Sequence, residues 1–414
     1  IMYTSGSTGL PKGVVLTHAN LIAGVTGNRD CVPGLSTDDV FISYLPLAHI
    51  LALTADTVML TCGAAIGYGT PRTVTDKSPA VNTKTCRGDA CTLRPTLMCA
   101  VPTIMDRIKD GVMQAVEQKG GIVKKLFDAA YATKGWWGYS HFYDWLVFDK
   151  LRTQLLGGRL RMMLSGGGPL SMETQRFMNI VFCCPVGQGY GLTETCGAVT
   201  IIWATDPSYG RVGPPISCSQ VKLVPWEEGG YLPTDKPNPR GEILLGGGNV
   251  AQGYYKMPEK TAEDFRVDEE GRIWFHTGDI GEMHPDGVLQ IIDRKKDLVK
   301  NQNGEYVSYG KIEPMLKECM LIDNVMVHQD PFQSCCVAIV TCETKKQIPT
   351  PEAVLESFMA IGKARKLARF EIPSKVYVSS EAWTPENDMA TAAMKLKRNN
   401  IAKKYKDELA ALYH

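Results

Sequence analysis

"YTSGSTGLPKGVV", residues 3–15, places glycines, hydroxyl side chains and one lysine between two short apolar runs. Backbone N–H groups and hydroxyls in such a loop can surround phosphate oxygens, with Lys12 as a mobile positive charge. The Walker A motif is excluded, because there a Ser or Thr follows the lysine, whereas Gly13 follows Lys12 here. The stretch therefore favours a phosphate loop of another class, with a plain Gly/Ser surface loop as the open alternative.

A second glycine loop, "GQGYGLTETCG" at residues 187–197, carries groups that suit a nucleotide. Tyr190 offers a flat ring to a base, and Thr193 offers a hydroxyl. Glu194 supplies a carboxylate, and Mg²⁺ prefers oxygen ligands of this kind. The loop alone is weak evidence.

A third loop, "HTGDIGEMHPDGVLQIIDRKKDLVK", spans residues 276–300. The carboxylate of Asp279 can accept both hydroxyl protons of a ribose, and Arg294 can bind a phosphate or ribose oxygen. Three loops with these groups, in this order, form a specific pattern for a bound nucleoside triphosphate.

The chain has 414 residues and a net charge of +1. That length allows two or three domains, and the balanced charge provides no broad field for nucleic acid or an anionic membrane. Thirteen cysteines are scattered without a C-x2-C pair, which predicts reduced thiols in an intracellular protein. We therefore expect no nucleic-acid partner, and a location in the cytoplasm or on the cytoplasmic face of an organelle membrane.

The start of the chain is unusual, because Ile1 begins an apolar run that leads directly into the glycine loop. No signal-peptide pattern is present, and we interpret the sequence as an N-terminally truncated fragment. The most apolar long window, residues 45–68, is interrupted by His49 and Asp56. It therefore predicts a buried helix and strand rather than a membrane span.

The pattern of elements predicts an α/β fold for the first part of the chain. Residues 1 to about 105 alternate short β-branched runs, "DDVFISYLP", "AAIGYG" and "TLMCAVP", with helical stretches at 19–28 and 50–59. Such alternation indicates βα units and a mainly parallel sheet. Residues 159–203 return to strand, glycine turn and helix, with Ser171 as the predicted N-cap.

A helical insertion is predicted at residues 106–157, with apolar residues at helix spacing in 106–119, 122–133 and 142–156. This insertion is rich in aromatic residues. They are explained either by packing between the helices or by a surface that contacts an acyl chain or a membrane. The aromatic residues concerned are Trp136, Trp137, Tyr139, Phe142, Tyr143 and Trp145.

Two further regions complete the predicted organisation. Residues 211–292, with "GEILLGG" and "GRIWFHTGDIG", indicate a β-rich subdomain. From about residue 294 the order becomes strand, helix, strand, strand, helix, strand, helix. We therefore expect a large domain at 1–293, of mostly parallel sheets plus the β-rich part, and a small mobile α+β domain at 294–414. The hinge is expected near 294–297.

Taken together, the motifs resemble the adenylate-forming superfamily of acyl-CoA synthetases, firefly luciferases and peptide-synthetase adenylation domains. The similar stretches are the opening loop, "YLPLAHI" at 44–50, "GYGLTET" at 189–195 and the "TGD" and "DRKKD" segments. "GRIWFHTGDIGEMHPDGVLQIIDRKK", "NVAQGYYKMPEKTAEDF" and "WTPEN" are similar to long-chain fatty acyl-CoA synthetases. The resemblance implies that a fatty carboxylate attacks ATP, giving acyl-AMP and pyrophosphate. Coenzyme A then takes the acyl group and releases AMP.

The resemblance also implies roles for single residues. Those expected at the β- and γ-phosphates are Thr4, Ser5, Gly6, Ser7, Thr8, Gly9 and Lys12. Tyr190 and Gly191 would lie against adenine, and Thr193 would contact the α-phosphate. Glu194, with Thr8, would bind Mg²⁺.

Other residues would border the ribose and the acyl group. Asp279 would take the ribose hydroxyls with help from Arg294, and His49 would border the carboxylate, unless it is a buried core histidine. The glycines expected at the adenine and acyl side are Gly166, Gly167 and Gly168.

The C-terminal catalytic lysine of the family has two candidates in "TPENDMATAAMKLKR", residues 384–398. Lys395 is the first and Lys397 the second, and a solvated basic helix start is the alternative. Asp388 stands where long-chain members usually have glycine, and Ala52 where they tend to have glutamate. Lys296 falls at the expected hinge.

Two other functions stay open at this point. One is an acyl-AMP ligase that loads a carrier protein, and the other is a non-catalytic homologue that binds nucleotide or acyl groups. Acyl chain length, peripheral membrane association and oligomeric state are also left open by the sequence.

Overall fold

A computed structural model describes residues 1–4, 11–78, 80–137, 140–343, 347–391 and 395–413. The first part alternates strands and helices as predicted. Its elements are β1 (Met2–Thr4), β2 (Lys12–Val14), α1 (His18–Asp30), β3 (Val40–Ser43), α2 (Ile50–Cys62), β4 (Ala65–Tyr68), α3 (Asp89–Leu93) and β5 (Leu97–Ala100). The predicted helices at 19–28 and 50–59 are therefore confirmed, each within a few residues.

The helical insertion follows. It contains α4 (Pro102–Lys119), α5 (Gly121–Trp137), α6 (His141–Tyr143), a π turn (Asp144–Phe148) and α7 (Asp149–Leu156). The predicted helical segment at 142–156 is helical in the structure, with a π-helical turn at Asp144–Phe148 in its interior. The turn lets the ring of Phe148 face inward, where it meets Phe127 edge-on at 6.1 Å.

The aromatic residues of the insertion divide between core and surface. Tyr131 packs against Phe177 at 5.9 Å, and Tyr143 packs against the core. Phe142 and Trp145 are 62% and 69% exposed, so interhelical packing does not account for them. Tyr139 and the side chains of Trp136 and Trp137 lie outside the described residues.

The central sheet has six strands in the order β4-β3-β5-β6-β7-β8. The elements that complete it are β6 (Met162–Ser165), α8 (Met172–Phe182), β7 (Val186–Leu192) and β8 (Gly197–Ile201). All neighbours are parallel except β8, which runs antiparallel to β7. Ser171 caps α8 by accepting the N–H of Thr174, as predicted. The fold class, a mainly parallel α/β sheet with antiparallel parts, is thereby confirmed.

The β-rich part forms a second sheet. Its elements are β9 (Ser219–Val224), β10 (Arg240–Gly247), α9 (Pro258–Asp264), β11 (Phe265–Val267), β12 (Ile273–Met283) and β13 (Leu289–Arg294). The strands are antiparallel in the order β11-β12-β10-β9, with β13 paired to β12. The register of β12 and β13 places Asp279 directly opposite Arg294.

The C-terminal part has α+β composition. Its elements are β14 (Leu298–Lys300), β15 (Tyr306–Ser308), α10 (Tyr309–Leu316), β16 (Asn324–His328), β17 (Val337–Thr341), α11 (Pro351–Ala364), β18 (Val376–Ser379), α12 (Arg398–Lys404) and α13 (Lys406–Tyr413). Strand alternation gives its three-stranded sheet two apolar faces. Val325 and Val327 face one cluster, and Met326 faces the other, with Trp383 and Ile401.

Several contacts join this part to the preceding residues. Ser308 donates a hydrogen bond to Asp293 at 2.8 Å, and Arg365 pairs with Glu173 on α8 at 3.1 Å. The domain boundary at 293/294 and the hinge stay predictions. In the part of the chain that the structure describes, we find no helix that is both long and apolar enough to traverse a bilayer.

Candidate functional site

One group of predicted residues meets where β7 approaches the middle of β12 and the end of β13. The hydroxyl of Tyr190 donates to Asp279 Oδ2 at 2.7 Å, and Arg294 Nε contacts Asp279 Oδ1 at 2.7 Å. The N–H of Asp279 donates to Thr277 Oγ1 at 2.9 Å, which fixes the turn before it. The structure therefore brings the three residues predicted for base and ribose into one hydrogen-bonded group.

The electrostatics of this group favour a neutral phenol at Tyr190. Asp279 is 5% exposed, while the side chain of Arg294 keeps 39% of its exposure. Burial and the neighbouring carboxylate raise the pKa of Tyr190 well above its ordinary value. The negative charge of the Asp279 carboxylate raises the pKa of Arg294. A carboxylate oriented in this way keeps further lone pairs for a ligand's hydroxyls.

Thr193 and Glu194 lie on a single 3-10 turn, Thr193–Thr195, between β7 and β8. The carbonyl of Glu194 accepts the N–H of Ala251 at 2.8 Å, which anchors the turn to the segment before α9. Gly191 has a structural reason to be glycine, because a Cβ there would lie 1.9 Å from the carbonyl oxygen of Gly197. Only a glycine permits this close pairing of β7 and β8.

The Glu194 carboxylate is held by a residue to which the sequence analysis gave no role. Tyr254 donates to Glu194 Oε1 at 2.9 Å, and Lys12 Nζ donates to the same Tyr254 hydroxyl at 2.9 Å. Asp264 Oδ2 lies 3.1 Å from that hydroxyl. The stretch "NVAQGYYKMPEKTAEDF" was recognised as similar to the family, yet nothing in its spacing marks Tyr254 as a neighbour of Glu194.

The structure describes only the two ends of the candidate phosphate loop. Thr4 on β1 pairs with Lys12 on β2 in an antiparallel register. The residues Ser5, Gly6, Ser7, Thr8 and Gly9 lie outside the described residues. Lys296, in the turn Lys295–Asp297, lies within electrostatic reach of Lys12.

His49 is the N-cap of α2. Its Nδ1 accepts the N–H of Leu51 at 3.2 Å, so this nitrogen carries no proton in this geometry. Burial, with a smaller effect from the charge of Lys395, lowers the pKa of His49. The residue is half-buried, and neither expectation for it anticipated a helix cap.

The predicted glycine turn adjoins the start of α2. Gly166 donates to the carbonyl of Ala100 at 3.2 Å, and Gly167 has a φ of 82°, in the left-handed region. A Cβ at Gly166 would lie 3.3 Å from the side chain of Leu51. A Cβ at Gly168 would meet only the ring of Pro102, at 3.7 Å. The turn therefore borders the same space as the helix that His49 caps.

An apolar cavity lies between α2 and the six-stranded sheet. It is lined mostly by apolar side chains such as Leu51, Val58, Phe41 and Met98. Small-molecule sites are mostly apolar in the same way. Leu51 joins this cavity to the region of His49 and the glycine turn.

Lys395 belongs to the C-terminal part and lies near the Tyr190–Asp279–Arg294 group and Glu194. We call the space between these residues the cleft. Lys395 lies within electrostatic reach of Arg294, Asp279 and Glu194, and its pKa is lowered, chiefly by the surrounding protein. The residue is nevertheless exposed to solvent. The carbonyl of Lys395 accepts the N–H of Thr391 at 2.7 Å, which holds the backbone that presents the lysine.

Lys397, the second lysine candidate, is engaged elsewhere. It forms an ion pair with Asp388, whose φ of 62° lies in the left-handed region. A left-handed position explains why glycine suits this site in other sequences, and Asp is one of the residues that tolerate it. Of the two lysines, the structure brings only Lys395 near Asp279, Arg294 and Glu194.

A buried carboxylate bound by a phenol and an arginine, next to an apolar cavity and near a lysine from the last part of the chain, is the arrangement expected of an adenylate-forming enzyme. The chain belongs to the AMP-binding enzyme family, whose sequence profile matches residues 1–255.

Named relatives agree with this assignment. The chain is 50% identical to long chain acyl-CoA synthetase 8 of Arabidopsis thaliana, with all of the chain and 61% of that protein aligned. It is 38% identical to long-chain-fatty-acid–CoA ligase 1 of Schizosaccharomyces pombe, again over the whole chain and 64% of the relative. The chain therefore spans about three fifths of the length of these relatives.

A solved structure has the same architecture. The adenylation–carrier didomain of a carboxylic acid reductase from Segniliparus rugosus, solved in complex with AMP, superposes with a TM-score of 0.80 at 26% identity. The superposition covers all of this chain and 52% of the reductase didomain.

Proposed function

We propose that the protein is an AMP-forming long-chain fatty acid–CoA ligase. The observation that carries the proposal is the convergence on one cleft of the Tyr190–Asp279–Arg294 group, Glu194 and Lys395, beside an apolar cavity. The relatives named as long-chain acyl-CoA synthetases support the same activity.

In the first half-reaction, the acid's carboxylate oxygen attacks the α-phosphorus of ATP, and pyrophosphate leaves with the electron pair of the broken P–O bond. Negative charge grows on the phosphoryl oxygens, so catalysis requires positive charge and N–H donors more than a proton acceptor. Lys395 and Lys12 supply charge, Thr193 a hydroxyl, and Asp279 holds the ribose against Tyr190. The acyl chain lies in the cavity below α2, with its carboxylate near His49 and the glycine turn.

Magnesium fits the residues present. No group of three or more His, Cys, Asp or Glu that could hold a metal occurs in the described ranges. One carboxylate is enough, because Mg²⁺ is usually bound by one or two carboxylates together with substrate phosphates. Glu194 would hold the ion, and Thr8 is proposed as its second protein ligand. When bound, the ion neutralises charge on the phosphates.

In the second half-reaction the thiol of coenzyme A attacks the acyl carbonyl, and AMP leaves. Lys395 reaches the cleft from the C-terminal part, so we propose that residues 294–414 move about a hinge near 294–297 between the two steps.

All thirteen cysteines are free thiols, which supports an intracellular location in a reducing compartment.

The test uses the full-length protein with palmitate, ATP and Mg²⁺, with and without coenzyme A. Palmitate-dependent exchange of pyrophosphate into ATP is expected without coenzyme A, and palmitoyl-CoA with it. Absence of both products would refute the proposal.

A second candidate function, a carrier-protein ligase, is favoured by one observation, the likeness to an adenylation–carrier didomain. It predicts acyl-AMP that persists in the presence of coenzyme A.

A further inference from the structure

The hydroxyl of Tyr254 lies within hydrogen-bond distance of three charged groups of the proposed site. Lys12 Nζ is 2.9 Å away, Glu194 Oε1 is 2.9 Å away, and Asp264 Oδ2 is 3.1 Å away. Tyr254 itself is only 5% exposed. Lys12 also lies over its ring, 4.1 Å from the centroid. A buried phenol with such neighbours is an organising group rather than a surface residue.

The donors and acceptors around the Tyr254 hydroxyl indicate which group receives its proton. A tyrosine hydroxyl has one proton to donate and can accept from a donor such as an ammonium group. Lys12 occupies the accepting side, so the proton serves one carboxylate at a time. Asp264 has cationic partners in Lys260 at 2.9 Å and Lys12 at 3.6 Å. Within the described ranges, Tyr254 is the side chain that hydrogen-bonds the Glu194 carboxylate.

The position of the Tyr254 ring is fixed independently of its hydroxyl. The ring packs edge-on against Phe265 at 5.4 Å, and the backbone N–H of Tyr254 donates to Thr261 Oγ1 at 2.9 Å. Loss of the hydroxyl alone would therefore leave the ring in place. The carboxylate of Glu194 would then be free to rotate in a buried site.

We propose that Tyr254 is a positioning residue for nucleotide activation: it fixes the Glu194 carboxylate through Oε1, leaves Oε2 for the magnesium ion, and holds Lys12 beside that carboxylate until phosphates draw it away. This inference rests on the function proposed above. Tyr254 is remote in sequence from both Lys12 and Glu194. Its hydroxyl connects Lys12, the proposed phosphate-binding lysine, to Glu194, the proposed magnesium ligand.

The test compares Tyr254→Phe with Tyr255→Phe in the full-length protein. Tyr255 is the adjacent tyrosine, is 47% exposed, and serves as the matched control. ATP binding is measured by isothermal titration calorimetry in excess Mg²⁺ and in EDTA. We expect Tyr254→Phe to reduce the gain in ATP affinity that Mg²⁺ provides by about tenfold, as for a buried charged group that loses a hydrogen bond. Tyr255→Phe should keep the wild-type gain.

A double-mutant cycle shows whether Tyr254 acts through Glu194. In a Glu194→Gln background, the effect of Tyr254→Phe on the magnesium-dependent gain should fall to less than about twofold. Circular dichroism and the melting temperature show whether each variant folds. A folded Tyr254→Phe protein with the wild-type magnesium gain would overturn the inference, as would an undiminished effect in the Glu194→Gln background.

The two proposals fail in different ways. If the wild-type protein shows no palmitate-dependent pyrophosphate exchange, the ligase function is wrong. If the wild-type exchange is normal and the magnesium gain is unaffected by Tyr254→Phe, only the role of Tyr254 is wrong.

Discussion

Replacement of Lys395 by alanine gives the sharpest test of how the cleft works. The lysine lies within electrostatic reach of Asp279, Arg294 and Glu194. In the proposed reaction, negative charge grows there on the phosphoryl oxygens during adenylation. Removal of one preorganised group that stabilises such charge costs roughly 10²–10³ in rate. We therefore expect Lys395→Ala to slow palmitate-dependent pyrophosphate exchange by about that factor.

Lys397→Ala is the matched control for this experiment. The ion pair of Lys397 with Asp388 is exposed at both ends, with 34% and 67% of the two side chains accessible. Exposed pairs contribute only ~0–1 kcal/mol, so exchange should stay within about threefold of the wild-type rate. An equal loss in the two variants, or a larger loss in Lys397→Ala, would refute the assignment.

The second half-reaction adds a further check. When synthetic palmitoyl-AMP and coenzyme A are supplied, adenylation is bypassed, and Lys395→Ala should form palmitoyl-CoA within about threefold of wild type, since the lysine acts on charge that develops only during adenylation. The direction of the pH dependence of pyrophosphate exchange can also be predicted. The surrounding protein lowers the pKa of Lys395 from 10.5, so the charged form is lost earlier as the pH rises. Exchange should therefore decline on the alkaline side before the second half-reaction does.

Three further predictions concern the nucleotide, the cavity and stability. Asp279→Asn should raise the KM for ATP by about tenfold or more, with the KM for palmitate unchanged, because ribose loses a charged acceptor; steady-state kinetics would show this. Ala55 lines the apolar cavity, so Ala55→Trp should reduce kcat/KM for palmitate by about tenfold or more relative to octanoate. Ser171→Ala removes the cap of α8 at a cost of ~1 kcal/mol, measured as a lower urea midpoint.

Much of the architecture could be predicted because it is written in local patterns. The β-branched runs that became β3 and β5 and the helix stretch that became α2 follow from periodicity within a few residues. Ser171 was predictable because Ser is a common N-cap. Tyr190 and Asp279 could be grouped because each stands in a distinctive glycine-flanked motif, and Arg294 because it stands in the "DRKKD" segment.

The parts that escaped prediction depend on contacts between distant positions. Tyr254 meets Lys12 across 242 positions and Glu194 across 60, and no local pattern encodes such a meeting. His49 caps α2 with a ring nitrogen, whereas capping rules favour Ser, Thr, Asp or Asn. The π turn at Asp144–Phe148 keeps a helical pattern of apolar residues, so the sequence does not distinguish it from a regular helix.

The cap at His49 makes the mouth of the cavity sensitive to acid. Protonation of Nδ1 would turn an acceptor into a donor facing the N–H of Leu51, and the first turn of α2 would lose its cap. The pKa of His49 is lowered in the folded protein, so the unfolded chain binds the proton more readily. Neutral His49 therefore stabilises the folded protein at neutral pH, and this stabilisation is lost as the pH falls below the ordinary histidine pKa of 6.5. Since Leu51 also lines the apolar cavity, we expect acidification to weaken the helix turn that forms this part of the cavity wall.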